Sequence, residues 1–142
     1  DLEGRASARV TNALLMTHLA LVPLQGSVLD SDQAARAFQS IRRASTAARR
    51  EIAFAAVYTR TPASTWVRSR VAQSIAENIE AAGITALPTP IAERTAFKAL
   101  FAAGGTLATL EGVSSIEKAR ENAAAFAADV LDRLQEGKGK AA

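Results

Sequence analysis

The sequence contains no cysteine and only one histidine, and both features exclude kinds of site. Without cysteine, these 142 residues can form no disulfide, no thiolate metal centre and no cysteine nucleophile. The single histidine, His18, cannot build a multi-histidine metal site or be assigned to a Ser–His–acid triad, so we expect a structural or surface role for it. The lack of cysteine favours a cytoplasmic protein.

Long apolar runs and glycine-rich phosphate loops are also lacking. No apolar run approaches the roughly 20 residues that a membrane span needs, and no charged-then-apolar signal segment opens the sequence. Neither G-x-x-x-x-G-K-S/T nor G-x-G-x-x-G occurs, so the sequence carries no loop of the kind that cradles phosphates. We therefore expect no membrane contact, and no ATP hydrolysis by these residues alone.

The residues that are present predict one globular α/β domain. Apolar residues make up 49% and charged residues 22%, which are globular proportions. Periodicity and turn residues predict strands over 19–24, 52–58 and 84–87, and helices over 7–17, 31–49, 65–82, 92–103 and 116–135. Because strands and helices alternate, we expect a mostly parallel sheet flanked by helices, with one open edge. Residues 137–142 are predicted to be a frayed tail.

Charge is unevenly distributed along the chain, whose net charge is +3. Eight arginines and one acid lie between residues 36 and 70, whereas six acids and three bases lie between 111 and 136. On the helix predicted over 31–49, the arginines fall opposite an apolar face that includes Phe38 and Ile41. This arrangement predicts a basic face that could meet an anionic partner.

A series of short motifs follows the predicted elements in a characteristic order. They are Asp1-x-x-Gly4-x-x-Ser7, Val22-Pro23-Leu24-Gln25 with Ser27-x-x-Asp30, Tyr58-Thr59-Arg60, Leu87-Pro88-Thr89-Pro90-Ile91, and Gly104-Gly105. Over nearly the whole chain, this series resembles the second half of the ParA/MinD-type P-loop ATPases, nearest to the ParA-like partitioning proteins and the VirC-type proteins of conjugal and T-DNA transfer. The resemblance implies a P-loop NTPase-like fold whose phosphate-binding front half is missing, with residues 1–136 as the C-terminal part of the ATPase domain.

The resemblance assigns roles at a nucleotide site by position. Asp1 matches an acid that helps to position Mg²⁺ through water, as hard cations favour carboxylates. Thr59 and Arg60 match a strand end near the adenine, and the loop of Pro88, Thr89, Pro90 and Ile91 matches the second adenine-side loop. ATP and Mg²⁺ are the implied cofactors of the parent protein, with neither expected to bind tightly to this chain alone. The sequence departs from the pattern at Leu2-Glu3, where Thr-Pro is usual, and at Thr59, where relatives often carry asparagine.

These positions also have plain structural interpretations. Asp1 could be an ordinary acid, and Arg60 could be a solvated arginine at a strand end. Loop 88–91 could be a rigid turn set by its two prolines. Asp30 is better interpreted as a helix cap than as part of a site.

The family resemblance also implies macromolecular partners. Related ParA proteins bind DNA non-specifically as ATP-bound dimers through surface arginine and lysine, and arginine forks bind phosphate in a salt-sensitive way. The candidate DNA-binding residues are Arg42, Arg43, Arg49, Arg50, Arg68 and Arg70. We expect a homodimer, with DNA and a partition or transfer protein as further partners. MinD-type membrane binding needs a C-terminal amphipathic helix, whereas this sequence ends in Gly-Lys-Gly-Lys-Ala-Ala.

Two other hypotheses are open from the sequence alone. The chain could be a non-catalytic α/β interaction module that binds protein or DNA through its basic face or its open sheet edge. It could also be an unrelated α/β enzyme whose site lies at the carboxyl ends of the strands. Clustering of Asp1, Gln25 and Thr59 at that edge would suit either enzyme, and only bound nucleotide would separate them.

Overall fold

The computed structural model describes residues 8–25, 28–62 and 70–139 of the chain. Strands β1 (Leu19–Leu24), β2 (Ala53–Thr61) and β3 (Ile91–Ala92) form a parallel sheet in that order. The helices are α1 (Ala8–Leu15), α2 (Val28–Ala48), α3 (Arg70–Ala81), α4 (Thr95–Ala103) and α5 (Ile116–Gly139). The predicted α/β class, with a parallel sheet flanked by helices, is confirmed.

Strand β2 forms the centre of the core because both of its faces are covered. Phe54, Ala56 and Tyr58 face an apolar cluster with α1, α2 and α3, whereas Ala55 and Val57 face α5. The alternation follows from the two-residue period of a strand. Burial on both faces explains why this segment is a nearly continuous apolar run instead of an alternating one. The described residues therefore form helices, sheet and helix in three layers.

Helix α2 ends one residue earlier than predicted, in a backbone closure without glycine. Arg49 adopts a left-handed conformation with φ 51°, and the N–H groups of Arg49 and Arg50 donate to the carbonyl oxygens of Thr46 and Ser45 at 3.2 and 3.3 Å. This pattern is a Schellman motif, in which the left-handed residue is usually glycine. The helical wheel predicted that Arg49 and Arg50 lie on the basic face of this helix. Because the helix ends at Ala48, the wheel does not give the positions of these two residues.

Helix α3 closes in the same way but with the expected glycine. Gly83 has φ 72°, and the N–H groups of Gly83 and Ile84 donate to the carbonyl oxygens of Glu80 and Ile79 at 2.8 and 3.0 Å. Glycine reaches this conformation without strain because it has no Cβ. The prediction that Gly83 follows the end of this helix is confirmed.

The third strand differs from the sequence prediction. The predicted strand over 84–87 is reduced to one parallel bridge, between Ala86 and Ala56, and the two-residue β3 lies further along at Ile91–Ala92. Pro88 and Pro90 lie between the bridge and β3, and proline has no N–H to give to a sheet. The prolines therefore interrupt the strand and move its regular part beyond the predicted segment.

Helix α5 continues past its predicted end at residue 135, so residues 137–139 belong to the helix and not to the predicted tail. Residues 140–142 lie outside the described part. A Cβ at Gly137 would lie 3.0 Å from the Cβ of Ala53, so the glycine permits close approach of α5 to β2. None of the helices in the described ranges is long and apolar enough to cross a membrane.

Candidate functional site

The carboxyl end of the sheet brings together segments that are distant in the sequence. Thr59 of β2 lies beside Ile91 of β3 in the strand register. The Thr59 hydroxyl donates to the carbonyl oxygen of Leu24, the last residue of β1, at 3.2 Å. Residues of all three strands therefore meet at the edge where parallel α/β sheets bind their ligands.

Arg60 is the extra residue of a bulge at this edge. Its neighbours Thr59 and Thr61 pair with the consecutive residues Ile91 and Ala92, and Arg60 between them has φ 55°. The left-handed conformation costs a non-glycine residue about 1–2 kcal/mol. The bulge leaves 63% of the Arg60 side chain exposed beside the strand ends. Bulges and strained residues are common next to functional sites, where they re-aim a side chain.

Glu93 connects two basic side chains beside the bulge. Its carboxylate lies 2.6 Å from Nζ of Lys98 and 3.8 Å from a guanidinium nitrogen of Arg60. The hydrogen bond and the positive charge of Lys98 lower the pKa of Glu93 below its ordinary value, and Arg60 adds a smaller effect in the same direction. Since the side chains of Arg60 and Lys98 are mostly exposed and that of Glu93 is 40% exposed, solvent screens these ion pairs and they add little to the stability of the fold.

Polar side chains of α5 hold loop 88–91. Oδ2 of Asp129 accepts a hydrogen bond from the N–H of Thr89 at 2.7 Å. Asn122 donates from Nδ2 to the carbonyl oxygen of Pro90 at 2.8 Å, and its Oδ1 accepts from the N–H of Ala92 at 3.0 Å. The backbone on both sides of Ile91 is therefore fixed to α5.

Sequence analysis missed these two α5 residues, although the helix carries a signal for them. Asn122 and Asp129 are seven residues apart, so they share a helix face with Phe126. Asparagine and aspartate are poor formers of helix interiors because they compete for backbone hydrogen bonds. Two of them on one inward face of an alanine-rich helix therefore indicate partners elsewhere in the fold.

Two of the predicted DNA-binding arginines hold helix ends. Arg42 donates from Nη2 to the carbonyl oxygen of Ala82, just beyond α3, at 3.1 Å. Arg50 donates from Nη2 to the carbonyl oxygens of Leu15 and Thr17, at the end of α1, at 2.7 and 2.8 Å. Cations at helix C-termini satisfy exposed carbonyl groups and the helix dipole. Both residues therefore have a structural role, whatever else they contact.

The other predicted basic residues are exposed or lie outside the description. The side chains of Arg43 and Arg49 are exposed and make no hydrogen bond or ion pair with another residue of the described ranges. Arg68 lies outside those ranges, and Arg70 begins α3 without a described side chain. Of the six arginines predicted to bind DNA, Arg43 and Arg49 are therefore the described ones whose side chains are available to bind an anion.

Replacing Arg50 by alanine is expected to lower the free energy of unfolding by about 1–3 kcal/mol, because partly buried carbonyl oxygens lose a charged donor. The matched control is Arg43→Ala on the exposed side of α2, which should change the free energy of unfolding by less than about 0.5 kcal/mol. Urea denaturation of both variants measures the difference. Equal effects of the two substitutions would contradict the structural role of Arg50.

A metal centre is not formed by the described side chains. Among residues 8–25, 28–62 and 70–139, no group of three or more His, Asp or Glu could hold a metal ion. Asp1, the predicted Mg²⁺-linked acid, lies outside these ranges. A shallow cleft of about 190 Å³ between α2 and α3, lined by Asp32, Asn78 and Ile84 among others, contains none of the predicted site residues.

Comparison with known proteins adds one relative. Over 137 residues the chain is 35% identical to the protein ParA of Rhizobium radiobacter, and the match covers 96% of this chain. The chain is related to ParA. It spans 61% of the length of ParA. The ParA relationship predicted from the order of short motifs is confirmed. No family model matches the sequence, and no solved structure matches it.

Proposed function

We propose that the protein carrying this chain is a ParA-like ATPase of DNA partition or transfer, and that the carboxyl edge of its sheet contacts the base of ATP. The observation that carries the proposal is the meeting of Thr59, Arg60 and loop 88–91 at one edge. Identity of 35% to ParA supports the same assignment. Ligands of parallel α/β sheets bind outside this edge.

The residues at this edge suit the base end of a nucleotide. Pro88 and Pro90 give loop 88–91 two rigid rings, against which a flat base can pack. The Thr59 hydroxyl donates to Leu24 and keeps lone pairs that can accept from an amino group. The exposed guanidinium of Arg60 adds positive charge beside the base.

Binding of the phosphates and of Mg²⁺ requires residues other than those at the base end of the site. ATP supplies the phosphate bond whose hydrolysis would release a dimer from DNA. We propose that Asp1 holds Mg²⁺ through water, in keeping with the preference of this ion for carboxylates and water. Because the sequence contains no G-x-x-x-x-G-K-S/T, the 142 residues alone are expected to give no ATP turnover in a phosphate-release assay.

The proposal includes DNA as a partner of the ATP-bound homodimer, with a partition or transfer protein as a further partner. Arg43 and Arg49 are the strongest described candidates because their side chains are exposed and, within the described ranges, make no hydrogen bond or ion pair that DNA would have to break. Arg42 and Arg50 already donate to helix ends, so DNA would use only their remaining N–H groups. Arg68 and Arg70 stay predictions.

Titration of the natural full-length protein with ATP and Mg²⁺ in a calorimeter tests the proposed function. Saturable binding of ATP is expected, and Thr59→Ala should weaken that binding. The substitution removes the hydroxyl that could accept from the base and the hydrogen bond from Thr59 to the carbonyl oxygen of Leu24. Thr46→Ala is the control, since it removes an exposed threonine hydroxyl from α2. Absence of saturable ATP binding to the unaltered protein would refute the proposal.

A further inference from the structure

The outer side of β3 is occupied by a side chain instead of another strand. Successive backbone groups of a strand point to opposite edges. The N–H of Glu93 points inward and donates to the carbonyl oxygen of Thr61 in β2 at 2.7 Å. Two of the outward groups, the carbonyl of Pro90 and the N–H of Ala92, bind the carboxamide of Asn122.

Helix α5 supplies much of what holds loop 88–91 in place. Strand β3 is only two residues long and its register is broken by the Arg60 bulge, so the ladder to β2 is a short anchor. Pro88 and Pro90 have no N–H, and the N–H of Thr89 is taken by Asp129. Ile91 of β3 and Phe126 and Val130 of α5 also pack against one shared apolar cluster, which completes the attachment.

We propose that Asn122 and Asp129 are positioning residues for the nucleotide site, which set where loop 88–91 meets the base. The proposal rests on the proposed function, because it concerns the base end of the same site. Neither residue needs to touch the nucleotide. Each acts by fixing backbone groups within two residues of Ile91, whose neighbour across the sheet is Thr59.

The two residues differ in what a substitution removes. Asn122 is both donor and acceptor, so Asn122→Ala breaks two hydrogen bonds, whereas Asn122→Asp keeps the acceptor for Ala92 and loses the donor to Pro90. Asp129 is only an acceptor, so Asp129→Asn can still accept from Thr89 through its amide oxygen. At both positions we therefore expect the alanine variant to lose more ATP affinity than the conservative variant.

The test compares ATP with tripolyphosphate, which has the phosphates but no base, as ligands of the natural full-length protein. Asn122→Ala and Asp129→Ala should weaken ATP binding about tenfold, which corresponds to roughly 1.4 kcal/mol. Tripolyphosphate affinity should stay within about twofold, because loop 88–91 does not face the phosphates in the proposed site. Asp129→Asn should restore most of the ATP affinity, and Glu121→Ala, at an exposed position of the same helix, should leave both affinities unchanged.

Equal losses for both ligands would overturn the proposal, since they would show general support of the fold instead of positioning at the base. Unchanged ATP affinity in both alanine variants would overturn it as well. If an alanine variant fails to fold, Asn122→Asp gives the comparison, with a smaller loss of ATP affinity expected because only the donor to Pro90 is removed. If the unaltered protein binds no ATP, both the proposed function and this inference are refuted. If it binds ATP and the substitutions at Asn122 and Asp129 do not change the affinity, only the inference is refuted.

Discussion

Replacing Phe38 by alanine is expected to lower the free energy of unfolding by about 3–5 kcal/mol, the range for large-to-small changes of buried aromatic residues. Phe38 is only 2% exposed and belongs to the cluster that joins the first three helices to the sheet. Its ring centroid lies 5.1 Å from that of Phe54 of β2, with the rings tilted by 50°. The substitution would remove the aromatic pair and leave a cavity between α2 and the sheet.

The chain provides a matched control for this substitution. Phe101 of α4 is 95% exposed, so Phe101→Ala removes the same atoms from water instead of from a core. It should change the free energy of unfolding by less than about 0.5 kcal/mol. Urea unfolding followed by circular dichroism measures both. Similar destabilisation by the two substitutions would contradict the assignment of Phe38 to the core between α2 and the sheet.

In the proposed DNA complex, removing the charges of Arg43 and Arg49 together is expected to weaken binding by roughly 10- to 100-fold near 0.1 M salt and to reduce the salt dependence by about two units of slope. The reason is that each arginine bound to a phosphate releases a condensed counterion from the DNA. The experiment uses the natural full-length protein with ATP and Mg²⁺, and an Arg43→Gln, Arg49→Gln double variant. Fluorescence anisotropy with a labelled duplex at several salt concentrations gives affinity and slope.

The control for position is Lys118→Gln, which removes one exposed positive charge from α5, away from α2. It should leave the salt slope unchanged within error. Arg42→Gln and Arg50→Gln are poor tests of DNA contact, because both side chains hold helix ends and their loss would alter the fold. An unchanged salt slope in the double variant would remove Arg43 and Arg49 from the DNA-binding surface.

The strands were predictable where an apolar run ends in turn residues, and not where prolines interrupt the ladder. Strand β1 was predicted with its observed bounds, and most of β2 was recognised, because both are apolar runs ended by turn residues. The third strand was predicted at 84–87 from the same kind of run. That prediction is wrong in position because Pro88 and Pro90 interrupt the ladder, and the two-residue β3 forms only where Ile91 meets the bulged end of β2.

The candidate site was predictable only in part. Thr59, Arg60 and loop 88–91 follow the strands predicted over 52–58 and 84–87, so the order of the motifs and the family resemblance could select them. Asn122 and Asp129 form hydrogen bonds with a loop that is distant in the sequence. No local pattern predicts which residues of α5 lie beside that loop. For the same reason, a helical wheel could not separate Arg50, which reaches back to α1, from the exposed Arg43.

Photolabelling of the natural full-length protein with an azido-adenine analogue of ATP locates the base end of the proposed nucleotide site. The reactive group is on the base, so the labelled peptide identifies the base end of the site. We expect label on peptides that contain Thr59 and Arg60 or residues 88–92, and loss of that label when unmodified ATP competes. Label that ATP displaces from other peptides, with none on these two segments, would contradict the assignment of the carboxyl edge to the nucleotide base.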